Sequence, residues 1–114
     1  MEHDATISIH DFEKVDIRVG TVVAADVFPK AKKPAFKLTI DFGPLGTRKS
    51  SAQITTLYSP EVLIGKQVVA VLNFPSRQIA DFMSECLVLG AVSDNREVVL
   101  LTTERAVDNG LRIA

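Results

Sequence analysis

The stretch QVVAVLNFPSRQIADFMSECLVLGAV, residues 67–92, holds two apolar runs, Val68–Leu72 and Cys86–Val92, on either side of a mixed connector. Both runs are short and rich in β-branched and aliphatic residues, which reads as two buried strands. Between them Asn73, Ser76, Arg77, Gln78, Asp81 and Ser84 are interleaved with Phe74, Pro75, Ile79, Phe82 and Met83. Such a connector sets hydrogen-bonding groups beside apolar surface at the end of a sheet, where a partner is recognised. It carries no nucleophile–base pair and no cluster of metal ligands.

Upstream, DIRVGTVVAADVF (Asp16–Phe28) alternates as a strand does, and Gly20 in its middle suggests a bulge or a tight bend at a barrel corner. Pro29 and Pro34 bracket the loop PKAKKP, where neither ladder nor helix would be stable. Phe36–Phe42 places Phe36, Leu38, Ile40 and Phe42 on one face and Lys37, Thr39 and Asp41 on the other. GPLG (Gly43–Gly46) turns the chain into a returning strand, Thr47–Ile54, with Ser51 or Gln53 facing outward. Ser59, Pro60 and Glu61 begin a short helical connector that runs to Leu63 and ends at Gly65. Lys66–Asn73 and Glu85–Val92 are the two central strands, Asp94-Asn95 is a turn, Glu97–Leu101 a further strand, and Asn109-Gly110 turns into the closing LRIA. At the other end Ser8 caps a short helix over Ile9–Lys14, with Asp11 as the carboxylate of a capping box and Phe12 and Val15 facing inward.

Five or six short strands, with a helical connector after the third and no helices alternating with strands, predict a small all-β barrel. The specific expectation is an OB-fold: a five-stranded Greek-key barrel with a short N-terminal helix. The 114 residues suffice for one domain, 1–114, burying roughly two thirds of its unfolded surface. No apolar run approaches the roughly 18 residues that span a membrane, so membrane insertion is not expected. The acidic opening MEHDATISIHDFEK does not resemble a signal peptide. With a single cysteine, Cys86, in an apolar strand, a reduced, cytoplasmic setting is expected.

The net charge of −1 conceals a pattern. Residues 1–27 carry two cations against six carboxylates, residues 28–50 six cations against one, and residues 51–114 five against seven. One basic hairpin therefore sits in a mildly acidic chain, and an anionic or amphipathic partner could be met there. The loop Lys30–Lys33 reads equally as a solvated edge that keeps neighbouring sheets apart.

Nothing favours catalysis. His3 and His10 stand seven residues apart with no cysteine or acidic cluster at ligand spacing. Cys86 has no histidine nearby in sequence and reads as a buried, protonated thiol. No serine lies in a GxSxG elbow, and Gly43–Gly46 lacks the lysine and following helix of a phosphate loop. Neither enzyme activity nor a cofactor is expected. Ser50–Thr55 is either a strand whose hydroxyls pack across a barrel corner or a source of hydrogen-bonding groups, Ser51 and Gln53, beside Asn73. NFPSRQI (Asn73–Ile79) is more than a turn, because a turn needs neither an exposed aromatic nor an arginine set beside it. Phe82 is as well placed for the core as for contact.

Asp11–Gly43, SSAQIT (Ser50–Thr55), Val69–Val92 and NGLRI (Asn109–Ile113) together resemble the bacterial CsaA family. These export-related chaperones share the OB-fold tRNA-binding domain also appended to some methionyl- and phenylalanyl-tRNA synthetases. The resemblance implies a homodimer that binds unfolded or peptide segments of presecretory proteins and meets the translocation ATPase. It places peptide pockets near the segments matching SSAQIT and NFPSRQI. In the tRNA-binding relatives the positions matching Asn73, Arg77 and Ser84 approach RNA. Asp81 stands where a glycine is common, which counts against the RNA reading.

Two functions follow as expectations. In the first, a preprotein segment lays apolar side chains on Phe74, Ile79 and Phe82, while Ser51, Gln53 and Asn73 hydrogen-bond its main chain and Arg77 and Ser84 complete the site. In the second, weak, structure-specific tRNA binding uses the cations of the basic hairpin. A module that merely docks one folded partner is a third. The N-terminal leader, the Ile9–Lys14 helix and the apolar C-terminal strands offer more hydrophobic surface than one small barrel can cover, which independently suggests a two-fold dimer.

Overall fold

The computed structural model describes residues 5–114; His3 lies outside them. Five strands form an antiparallel sheet in the order β3-β2-β1-β4-β7: β1 (Ile17–Val27), β2 (Phe36–Asp41), β3 (Thr47–Ala52), β4 (Gln67–Val71) and β7 (Leu87–Val88). The sheet curls into the nearly closed barrel of an OB-fold. Helix α1 (Ile9–Glu13) precedes β1, and α2 (Pro60–Leu63) joins β3 to β4. Two hairpins stand outside the main sheet: β5 (Arg77–Ile79) with β6 (Phe82–Ser84), and β8 (Gly90–Val92) with β9 (Val98–Leu100).

β1 is the hinge of the barrel. Ile17–Thr21 pairs with β4, and Thr21–Val27 pairs with β2, with the register shifting between Val22 and Ala24. The bulge therefore falls at Val23, three residues beyond Gly20. Val22 is freed to bond sideways, receiving the Gly65 N–H at 2.8 Å and donating to the Lys66 carbonyl at 2.9 Å. A bulge bends its strand and lets it serve two neighbours. Gly20 does something else: a Cβ there would lie 2.7 Å from Ile40 and from the Phe42 ring. The position is glycine because two core side chains fill the space above it.

Phe36, Leu38, Ile40 and Phe42 all point into the barrel, with Val22, Leu63, Val68, Ala70 and Leu72. A smaller cluster lies on the outside of the sheet, where Phe12, Val15, Leu89 and Ile113 cover Ile17, Val69 and Val71. The run Val68–Leu72 is thus buried on both faces, which is why it lacks polar alternation. Ser8 caps α1 with the full capping box expected, its Oγ accepting from Asp11 N–H and its N–H donating to the Asp11 carboxylate.

Two expected strands are interrupted. Thr47–Ile54 stops pairing at Ala52. Glu85–Val92 divides at Leu89, whose N–H donates to Val69 (2.8 Å) while its carbonyl accepts from Leu101 (3.2 Å). The chain leaves the barrel there and starts a new hairpin. Gly90 makes the crossing possible, since a Cβ would sit 2.5 Å from a Val98 methyl.

The seam between β3 and the β6–β7 segment is held largely by side chains. Glu85 N–H donates to the Lys49 carbonyl (2.7 Å), and the Glu85 carboxylate accepts from Lys49 N–H (2.9 Å). Ser50, 1% exposed, donates its hydroxyl to the Cys86 carbonyl at 2.9 Å, and Ser51 N–H donates to Ser84 Oγ at 3.0 Å. No helix among the described residues is long and apolar enough to cross a membrane.

Candidate functional site

Beyond that seam the barrel stays open, leaving a groove of about 590 Å³. Ser51–Ile54 lines one side and Glu85–Gly90 another, with Phe74, Pro75, Arg77 and Ile79 from the connector and Val92 and Val98 from the β8–β9 hairpin. Most of this lining is aliphatic or aromatic, and the size is that of an ordinary ligand cleft. Ile54, 5% exposed, belongs to the groove and the core at once.

Six of the eight expected contact residues meet here: Ser51, Gln53, Phe74, Arg77, Ile79 and Ser84. Phe74 is 52% exposed, an aromatic ring left in solvent at the groove's edge. The pairing of β5 with β6 sets Arg77 opposite Ser84, so the hairpin, unforeseen within the connector, brings them together. Asn73 and Phe82 are spent elsewhere. Asn73 Oδ1 accepts from Asp16 N–H (2.9 Å) and its Nδ2 donates to the Lys14 carbonyl (2.7 Å), tying β4 to the end of α1. Phe82 packs edge-on against the buried Phe28, ring centroids 5.5 Å apart. Neither lines the groove. Asn73→Ala should therefore cost about 1 kcal/mol of stability, seen in a urea midpoint, and leave ligand affinity unchanged; weakened affinity in a fully folded variant would return Asn73 to the site.

Asp81 is neutralised within the chain. Lys30 Nζ donates to its carboxylate at 2.7 Å, and that bond holds the Asp81 carboxyl below its ordinary range and raises Lys30 above its own. The pair is fully solvated and adds little stability, but it removes one cation from the basic loop. Lys37 lies over the Phe28 ring at 5.5 Å and pairs across β2–β3 with Ser51. Arg77 has no carboxylate within ion-pair distance among the described residues.

Burial pushes the Cys86 thiol up from 9.0 to about 11. At pH 8 only about one native molecule in a thousand carries the thiolate, so iodoacetamide should react far faster after unfolding than before. The sign of the linkage follows from the raised value. The stabilisation is complete below pH 9.0 and is lost as pH rises toward about 11, because the unfolded chain releases its proton first. A melting temperature that stays flat from pH 8 to 10 in the Cys86→Ser variant, but falls in the parent, isolates this contribution. His10 makes a surface contact with Glu13 at 3.3 Å, and no group of three or more His, Cys, Asp or Glu among the described residues is arranged to hold a metal ion.

The opposite side of the groove, Leu87, Val88, Leu89, Val92 and Val98, is not legible in the connector. The one available signal was Gly90, an interruption inside an apolar run that marks a strand changing partners.

A family described as "Putative tRNA binding domain" matches residues 17–112. Among solved structures, the chaperone CsaA of Bacillus anthracis is 50% identical, with a TM-score of 0.92 covering 96% of this chain and all of that one. The CsaA chaperone protein of Picrophilus torridus is 48% identical, with a TM-score of 0.89 over the same shares. The methionine–tRNA ligase of Methanocaldococcus jannaschii is 36% identical over 107 residues, 94% of this chain. The chain spans only 16% of that ligase.

Proposed function

The chain belongs to the tRNA-binding-domain family, among its CsaA-like members, and on that premise we propose that it is an ATP-independent chaperone for unfolded, presecretory polypeptides. The observation that carries this is the groove: aliphatic walls, an exposed Phe74 and hydrogen-bonding groups at Ser51, Gln53 and Ser84. Apolar surface beside main-chain partners binds segments by what they share, which makes a holder of clients rather than a reader of one sequence. In this reading clients are held for export and pass to the translocation ATPase, as the sequence resemblance to the CsaA family implies. The setting is the cytoplasm.

A homodimer accompanies this reading. Ile7, Ile9, Val92, Val99, Leu101 and Leu111 are all at least 44% exposed, more apolar surface than a monomer of this size usually leaves bare. Sedimentation should give about twice 12.4 kDa; a monomer at micromolar concentration contradicts it. Two grooves per dimer would strengthen the hold on any client long enough to reach both.

Calorimetric titration of an unfolded presecretory client tests the site. The Phe74→Ser/Arg77→Ser double variant alters two exposed residues and should fold normally while weakening binding by roughly tenfold or more. Unchanged affinity would remove the groove from the function.

Weak tRNA binding is the second reading, favoured by the family match and by the basic Lys30–Lys49 hairpin. Three or four phosphate contacts would give a log–log salt slope of about −3. Binding that stays weak at low salt eliminates it. The carboxylates outside this hairpin and the pairing of Lys30 with Asp81 favour the polypeptide reading.

A further inference from the structure

The rim of the groove contains an unfinished sheet edge. In an antiparallel pair, residues alternate between exchanging hydrogen bonds and turning their main-chain groups outward. Ser51 N–H turns away from β2, because it donates to Ser84 Oγ across the seam. Gln53 follows two residues later, the spacing at which a strand repeats its direction. Neither its N–H nor its carbonyl makes a main-chain hydrogen bond among the described residues, and the residue lines the groove. Pairing along this edge ends at Ser51 with a side chain, where a neighbouring strand would otherwise continue the ladder.

One end of the same groove has unanswered charge. Ser51, Ser84 and Arg77 form a row along the groove, through the Ser51–Ser84 hydrogen bond and the Ser84–Arg77 pair. The Ser84 hydroxyl accepts from Ser51 and so keeps its proton free to donate. Among the described residues Arg77 has no carboxylate within ion-pair distance, and the groove's own acid, Glu85, is held by Lys49 N–H at 2.9 Å. Ile54 and Leu89 line the same groove as these donors and supply apolar surface to it.

We propose that the groove takes an extended polypeptide segment as an added strand on the open edge of β3, its main chain bonded at Gln53, an apolar side chain against Ile54 and Leu89, and a carboxylate on Arg77 and Ser84. The occupant is thus a strand-forming segment that alternates apolar residues with an acidic one. This deepens the polypeptide reading above and rests on it. Main-chain pairing supplies affinity without regard to sequence, and the Arg77 end adds a preference for charge.

The probe is a fluorescein-labelled eight-residue peptide alternating valine with polar residues, one of them aspartate, followed by polarisation against the full chain. N-methylation of one alternate set of peptide nitrogens should weaken binding by roughly tenfold, while the other set leaves it unchanged. Exchanging aspartate for lysine should weaken binding to the parent and restore it to Arg77→Glu, an exposed substitution whose folding circular dichroism verifies. Equal tolerance of both methylated sets, or no restoration by the charge exchange, overturns the added strand while leaving the polypeptide reading intact. A peptide that fails to bind where an unfolded client does bind also overturns it. Failure of both ligands sinks the underlying reading.

Discussion

Phe42→Ala should lower the free energy of unfolding by about 3–5 kcal/mol, a large part of what holds a domain of this size together. Phe42 is fully buried at the end of the barrel core, and its ring roofs the space that Gly20 leaves open. Removing the ring deletes its apolar contacts and opens a cavity that the bulged β1 is poorly placed to fill. The reverse experiment uses the same geometry. Gly20→Ala brings a methyl to 2.7 Å from Ile40 and Phe42 and should cost about 1–3 kcal/mol through overpacking. Combining Gly20→Ala with Phe42→Leu should then cost less than the sum of the two, since the smaller side chain makes room for the methyl. Urea denaturation of the four proteins tests this, and strict additivity would show that the two positions do not share that space.

Ile54→Asp should be comparably severe, about 4 kcal/mol or more, because it sets an unpaired carboxylate at a position only 5% exposed. Its companion, Ile54→Val, removes one methylene and should cost about 0.5–1.5 kcal/mol. The pair separates stability from function, since Ile54 belongs to both core and groove. If apolar contact with Ile54 contributes to client binding, the valine variant should remain folded and bind more weakly. Full affinity in that variant would place the client's side chains elsewhere in the groove. Tolerance of aspartate, with a normal denaturation midpoint, would mean that the end of β3 opens readily to water.

Local patterns were legible wherever one face of an element alone decides burial. Phe36–Phe42 alternates because β2 is packed on one side only, and all four apolar residues face the barrel. Ser8 and Asp11 are three residues apart, and their capping box needs nothing beyond the first turn of the helix. The OB-fold and the CsaA likeness were legible for a similar reason, since strand order and ordered motifs are carried along the chain. Gly20 suggests a bulge or a tight bend because glycine spacing does not reveal which side chain will occupy the space; the bulge lies at Val23. The sequence suggests contact for Asn73 and leaves Phe82 open between core and contact, because a polar or aromatic side chain beside a turn looks the same whether it faces solvent or a distant neighbour. Asn73 in fact reaches back 57 and 59 residues, to Asp16 and Lys14, and Phe82 meets Phe28.

The groove shows the same division. Its connector side was written in NFPSRQI, where amphipathic residues crowd between two apolar runs. Its far side was not, because Glu85–Val92 reads as one ordinary strand until Leu89 is seen to bond Val69 on one side and Leu101 on the other. By itself the sequence determined where the strands of the main sheet begin, which of their residues face the core and where charge accumulates, all properties of neighbours along the chain. Only the tertiary structure decided which polar groups are consumed by the fold and which remain for a partner. A hydrogen bond between distant residues depends on barrel closure, and closure is set by the packing of the whole sheet.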